Sequence, residues 1–168
     1  GDMDVLSSSV DNTIAWYEND GSGSFTEHAI STSADGASSV YAGDVDGDGL
    51  ADLLLGAYQN DDGGAMAGKT YLILGASLGA TAEIDLADAD YSFVGEDEEN
   101  YSGFSISSAG DVDGDGLDDI LVGAPYNDDG DTDLDWEATN TGKGYLILGA
   151  SLGSSSTIEL SAADYSFV

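Results

Sequence analysis

Residues 44–60 read DVDGDGLADLLLGAYQN, and residues 111–127 read DVDGDGLDDILVGAPYN. In each copy four aspartates stand at alternating and then spaced positions, D-x-D-x-D-G-x-x-D. They are Asp44, Asp46, Asp48 and Asp52 in the first copy and Asp111, Asp113, Asp115 and Asp119 in the second. An apolar run of strand length follows at once. Carboxylates at every second position converge only if the backbone coils tightly, and Gly49 or Gly116 permits the positive φ that such a turn needs. The backbone carbonyl of Leu50 or Leu117 is placed to add one more oxygen. Hard, charged oxygen donors of this kind favour Ca²⁺ over zinc or copper. An EF-hand is excluded, because its twelfth loop position requires a bidentate Glu and this chain has Leu55 or Val122 there, inside a strand.

Working outward, the repetition extends well beyond the loops. YLILGASLG occupies residues 71–79 and 145–153, and YSFV occupies 91–94 and 165–168. The second copy carries an insertion between the shared Asn-Asp-Asp-Gly and the shared Gly-Lys, which marks a surface loop rich in acids over residues 128–135. Within each copy, strands are expected at 38–42 or 104–109, 52–57 or 119–124, 70–74 or 144–148, and 91–94 or 165–168. All are short, rich in β-favouring residues and bounded by Gly, Asn, Asp and Ser. A helical turn is expected near residues 86–90. Residues 13–17 and 24–30 flank Asn-Asp-Gly-Ser-Gly, a hairpin signal. Gly1 and Met3 to Leu6 align with Gly49 and Ala51 to Leu54, so the N-terminal stretch reads as the tail of a third, divergent copy.

The resulting expectation is an all-β chain of tandem four-stranded antiparallel blades, as in a β-propeller. Its units are a partial blade at 1–34, a second at 35–99 with its loop at 44–52, and a third at 100–168 with its loop at 111–119. Two full units and part of a third are few for a ring. Because the chain begins and ends inside repeat units, it reads as a segment of a longer array.

Composition narrows the function. The 168 residues include 34 Asp plus Glu against two Lys plus Arg, a formal net charge of -32. Such a surface repels phosphate backbones and anionic lipid, so nucleic-acid and peripheral membrane roles are excluded. No apolar run reaches the ~20 residues of a membrane span. Cysteine is absent, which closes disulfide and thiolate-metal chemistry. Lys69 and Lys143 hold equivalent positions and are expected to pair with nearby acids.

Residues 101–127, YSGFSISSAGDVDGDGLDDILVGAPYN, resemble the FG-GAP repeat of the integrin α-subunit propeller and its bacterial surface relatives. Phe104 stands in the Phe-Gly position, with Ser105 replacing the Gly, and Gly123, Ala124 and Pro125 match Gly-Ala-Pro. In the preceding unit Val40 and Tyr41 replace Phe-Gly, and Tyr58 replaces the Pro. The resemblance implies a β-propeller with a calcium loop between the first two strands of each blade, in extracellular proteins that adhere or assemble. It implies no particular ligand.

Three catalytic patterns fail on context. Residues 63–70, GGAMAGKT, satisfy a P-loop spacing, but a strand follows where a phosphate-binding helix is required. Ser77 and Ser151 sit in G-x-S-x-G, yet the only histidine, His28, precedes both, and the helices of a hydrolase are missing. His28 reads as a surface residue on an outer strand. Paired acids suit a glycosidase only where one is set in an apolar pocket, and no Glu here is so placed.

The function expected is therefore a non-enzymatic, calcium-binding extracellular module of a surface adhesin, matrix protein or filament, whose partners are calcium ions and either further copies or neighbouring blades. The alternative is a carbohydrate- or protein-ligand-binding module attached to a secreted enzyme, using Trp16, Tyr17, Tyr126 and Trp136. Asn100 opens a glycosylation sequon, and the 128–135 loop offers acids for a further metal.

Overall fold

The computed structural model describes residues 4–78, 83–129, 140–153 and 155–168. Twelve strands account for nearly all of its regular structure: β1 (Val5–Ser9), β2 (Thr13–Asn19), β3 (Phe25–Ser31), β4 (Ala37–Gly43), β5 (Asp52–Ala57), β6 (Lys69–Ile73), β7 (Tyr91–Val94), β8 (Ser105–Gly110), β9 (Asp119–Ala124), β10 (Lys143–Ile147), β11 (Thr157–Glu159) and β12 (Tyr165–Phe167). Among the described residues there is no α-helix. Single 3-10 turns occur at Gly75–Ser77, Leu86–Asp88, Gly149–Ser151 and Leu160–Ala162. The expected strands are all present with ends moved by a residue or two; β6, for example, starts at Lys69 because Lys69 is in register with both Ala57 and Val94.

The strands form three sheets in series, ordered β1-β2-β3, β11-β7-β6-β5-β4 and β12-β10-β9-β8. The fold is all-β, and within each sheet neighbouring strands pair antiparallel as in propeller blades, β11 alone excepted, without closing into a ring. Strand β5 explains why the sheets stack. All six of its residues are buried, and its period-2 alternation sends successive side chains to opposite faces. Leu54 enters a core with Leu72, Phe93, Ile106, Ile120 and Val122, between the second and third sheets. Leu53 and Leu55 enter another with Ile14, Ile30, Tyr71 and Ile73, between the first and second. Each such leucine contributes about 1.5–3 kcal/mol by leaving water.

One pairing was not expected from the repeats. β11 lies beyond the shared YLILGASLG of the last unit, yet it pairs parallel with β7 on the edge of the second sheet. One step earlier a single bond stands in the corresponding place, where Ile84 donates its amide to the Ile30 carbonyl on the edge of the first sheet (2.7 Å). A leucine follows each contributed segment and fills the core beside it: Leu86 between the first and second sheets, Leu160 between the second and third. Leu86–Asp88 is also the helical turn anticipated near 86–90.

Candidate functional site

The acidic loops join β4 to β5 and β8 to β9. Each coils because every one of its three alternating aspartates accepts an amide two to five residues on. In the first loop, Asp46 accepts from the Asp48 amide (3.1 Å), Asp48 from Leu50 (2.7 Å) and Asp44 from Gly49 (3.0 Å). In the second, Asp113 accepts from Asp115 (3.1 Å), Asp115 from Leu117 (2.8 Å) and Asp111 from Gly116 (3.0 Å). Gly49 and Gly116 take the positive φ expected (88° and 96°), and Gly47 and Gly114 do so as well (75° and 83°). A side chain at these positions would force the left-handed strain that glycine avoids.

Coiling gathers three carboxylates in each loop. One oxygen from each of Asp44, Asp46 and Asp48 lies within 4.8 Å of the others, and Asp111, Asp113 and Asp115 do the same. Like charges this close repel by about 1 kcal/mol per pair in water-like surroundings, and more where the dielectric falls. Burial, and then the charges of Asp52, Asp48 and Asp44, push the Asp46 carboxyl above its ordinary value, against the pull of the Asp48 amide. Oδ1 of the half-buried Asp44 is shut away from solvent with no hydrogen-bond partner. A buried carboxylate oxygen left unpaired carries a desolvation cost that a cation would remove. The donor set fits a hard divalent cation: carboxylate oxygens alone, converging, and without nitrogen or sulfur.

Asp52 and Asp119 stand apart from these triads. Both are fully buried. Asp52 accepts the Val45 amide on Oδ2 and the Gly75 amide on Oδ1, each at 2.7 Å. Asp119 accepts from Val112 (2.8 Å) and Gly149 (2.9 Å). Each therefore ties the start of its acidic loop to the turn after the third strand of its sheet. Alternating-aspartate spacing says nothing of this second role. A neighbouring pair was also missed: Asp90 and Asp164 take the amides of Leu74 and Leu148, and the hydroxyls of Ser77 (2.7 Å) and Ser151 (2.8 Å). The signal was in the sequence, since each of these aspartates immediately precedes the repeated YSFV.

Those bonds account for the G-x-S-x-G pattern, whose serines hold a turn. The P-loop spacing runs directly into β6, and Lys69 donates to Asp62 at 2.6 Å. Lys143 bridges Glu96 and Asp129, both at 2.6 Å, so both lysines pair with acids. His28 stacks on Trp16 with ring centroids 4.4 Å apart and reaches Glu18 at 3.2 Å. Asn100 does not suit a glycan: it is buried, its Nδ2 donates to the Glu98 carbonyl, and its Oδ1 accepts from Asn127. Within the 128–135 loop, Asp129 is engaged by Lys143, whereas Asp131, Asp133 and Asp135, like Trp136, lie outside the described residues.

Residues 1–55 match the model of the FG-GAP-like repeat, and residues 102–147 that of the FG-GAP repeat, which spans the second acidic loop and the strands around it. The chain belongs to the FG-GAP repeat family. Similar curated proteins are integrin alpha-PS2 of Drosophila melanogaster, 36% identical over 94 residues, and integrin alpha-5 of Xenopus laevis, 38% identical over 94 residues. These stretches are 53% and 52% of this chain but 6% and 8% of the relatives. The FG-GAP chain thus spans a small part of the proteins it resembles. Among its described residues no helix is long and apolar enough to cross a membrane.

Proposed function

We propose that this chain is a calcium-binding repeat module with a structural and adhesive role in an extracellular surface protein, matrix or filament. Its units are residues 1–34, 35–99 and 100–168. One Ca²⁺ is held at 44–52 by Asp44, Asp46, Asp48, the Leu50 carbonyl and Asp52. A second is held at 111–119 by Asp111, Asp113, Asp115, the Leu117 carbonyl and Asp119. The single observation that carries this reading is the buried, unbonded Oδ1 of Asp44 inside a converging carboxylate triad. Asp52 and Asp119 keep free lone pairs beyond their amide bonds and can serve both purposes. Millimolar external calcium would fill sites with dissociation constants on the order of 10⁻⁴ to 10⁻³ M, whereas cytosolic calcium would leave them empty. The integrin α relatives support the extracellular, adhesive setting.

Isothermal titration with calcium tests the reading directly. Two sites are expected in the native chain and one in the Asp44→Ala/Asp48→Ala variant. Excess EDTA should lower the melting temperature, because the cation relieves repulsion only in the folded loop. A chain that takes up no calcium and melts identically in EDTA would refute the assignment.

A second reading, ligand binding through aromatic side chains, is favoured by one cluster. Tyr126 and Phe104 are exposed and meet Tyr101 and Tyr58 edge-on, with centroids 4.8–5.6 Å apart along the chain of contacts. Of the residues first considered for this role, Trp16 lines a groove between the first two sheets and Tyr17 is half-buried. Binding to a glycan array that is lost in Tyr126→Ala would favour this reading.

A further inference from the structure

The two acidic loops touch where the second and third sheets meet. Val45, flanked by Asp44 and Asp46, is buried in the core that these sheets share. Gly47 lies against Leu117 of the other loop: a β-carbon at Gly47 would stand 3.0 Å from Leu117 Cδ2. Asp46 and Leu117 line the same cleft. Leu117 also backs onto Gly149, where a β-carbon would come within 2.7 Å of Leu117 Cβ and 3.4 Å of the Val45 carbonyl oxygen. Gly149 is the turn residue whose amide Asp119 accepts (2.9 Å). A short path of packed groups thus runs from the triad of Asp44, Asp46 and Asp48 through Val45 and Gly47 to Leu117 and Gly149, and ends on Asp119. Leu117 and Asp119, at its far end, are residues assigned above to the second calcium site.

We propose that the two loops bind calcium with positive coupling, the filled first loop holding Leu117 and Asp119 in place for the second. This coupling rests on the calcium reading given above. Without a cation the three carboxylates of the first triad repel one another, so their charge opposes the coil that presses Gly47 onto Leu117. A cation removes that opposition, and the packed glycine then restricts Leu117 to the position in which its carbonyl serves as a ligand. Packed interfaces transmit such a change because they switch between discrete arrangements and do not deform continuously. Linkage makes the effect reciprocal: filling the second loop strengthens binding at the first by the same factor. Charge alone gives the opposite sign, since the first ion cancels part of the field that attracts the second. The sign of the coupling therefore separates packing from charge.

Calorimetric titration with calcium alone, at an ionic strength that screens exposed charges over ~8 Å, tests it. Two ions should enter the native chain cooperatively. Asp44→Ala/Asp48→Ala empties the first site yet leaves that loop with the net charge of the filled native loop, and it should weaken the remaining site by about 5-fold or more. Leu117→Ala keeps the carbonyl but removes the methyl group that meets Gly47. In that background both sites should fill without cooperativity, and adding Asp44→Ala/Asp48→Ala should leave the second affinity unchanged. Leu117→Val, which shortens the same side chain, serves if circular dichroism shows the alanine variant misfolded. Two ions bound independently or with negative coupling would overturn the coupling and leave the calcium assignment standing. Cooperativity that survives both Leu117 variants would equally overturn it, since the path runs through that side chain. A chain that takes up no calcium would overturn both.

Discussion

At the scale of single residues, Asp52 and Asp119 carry more than their place in an acidic motif suggests. Buried and each bonded to amides of both the loop and the turn, they hold the two together through protein groups alone. Replacing Asp52 with Asn keeps the shape but puts an amide donor against a backbone donor, leaving one buried N–H unsatisfied. A loss of about 1–3 kcal/mol is expected, read as a lower urea midpoint, and it should persist in calcium-free buffer. A residue that acted only as a metal ligand would lose its effect there. The triads were legible in the sequence because alternate acids and a glycine leave a loop few ways to coil. The amides of Gly75 and Gly149 were not, because they lie 23 and 30 residues from the carboxylates they meet.

At the scale of elements, the segment contributed from one unit to the sheet before it is the main departure from tandem four-stranded blades. β11 has only three residues and pairs parallel, an arrangement that needs a partner far along the chain and leaves no local signature. What fixes it is the leucine that follows. Leu160 is fully buried between sheets, so Leu160→Ala should cost about 2–5 kcal/mol, measured by chemical denaturation. Amide exchange should quicken at Ser92, whose N–H bonds the Ser156 carbonyl (2.8 Å). A value under ~0.5 kcal/mol, as for a surface change, would mean that the segment is not held by this side chain.

For the whole molecule, cohesion between the second and third sheets combines the apolar core with one buried ionic clasp. Lys143 pairs with Glu96, and Tyr145 donates its hydroxyl to the same carboxylate at 2.8 Å. Burial opposes the charge on Lys143, but Asp129 and Glu96 outweigh it and raise the lysine above its ordinary value of 10.5. Its contribution to stability is therefore complete below 10.5 and lost as pH rises through the raised folded value. Asp129 is lowered, chiefly by its bond to Lys143, so its smaller share is present above 3.8 and lost as pH falls through the folded value. Lys143→Met strands the carboxylate of Glu96 and should cost on the order of 3 kcal/mol at neutral pH. Thermal melts from neutral to strongly alkaline pH should show the native chain falling more steeply than the variant, which retains only the alkaline loss that comes from the buried Tyr71 and Tyr145, both raised above 10.0. Equal slopes for both would exclude the clasp as the cause.

By itself the sequence determined most of the strands, the two coiled acidic loops and the family, since these rest on local periodicity, turn chemistry and a repeat printed twice in the chain. It also marked Lys69 and Lys143 as paired, because two cations among so many acids have little alternative. Tertiary structure alone decided that Asn100 is sealed from solvent, that Asp52 and Asp119 bind distant amides, and that β11 joins the preceding sheet. It also decided that Phe93 is covered while Phe167, in an identical YSFV, lies open. Identical local sequence cannot distinguish two such fates, because burial is a property of what packs against a residue and not of the residue.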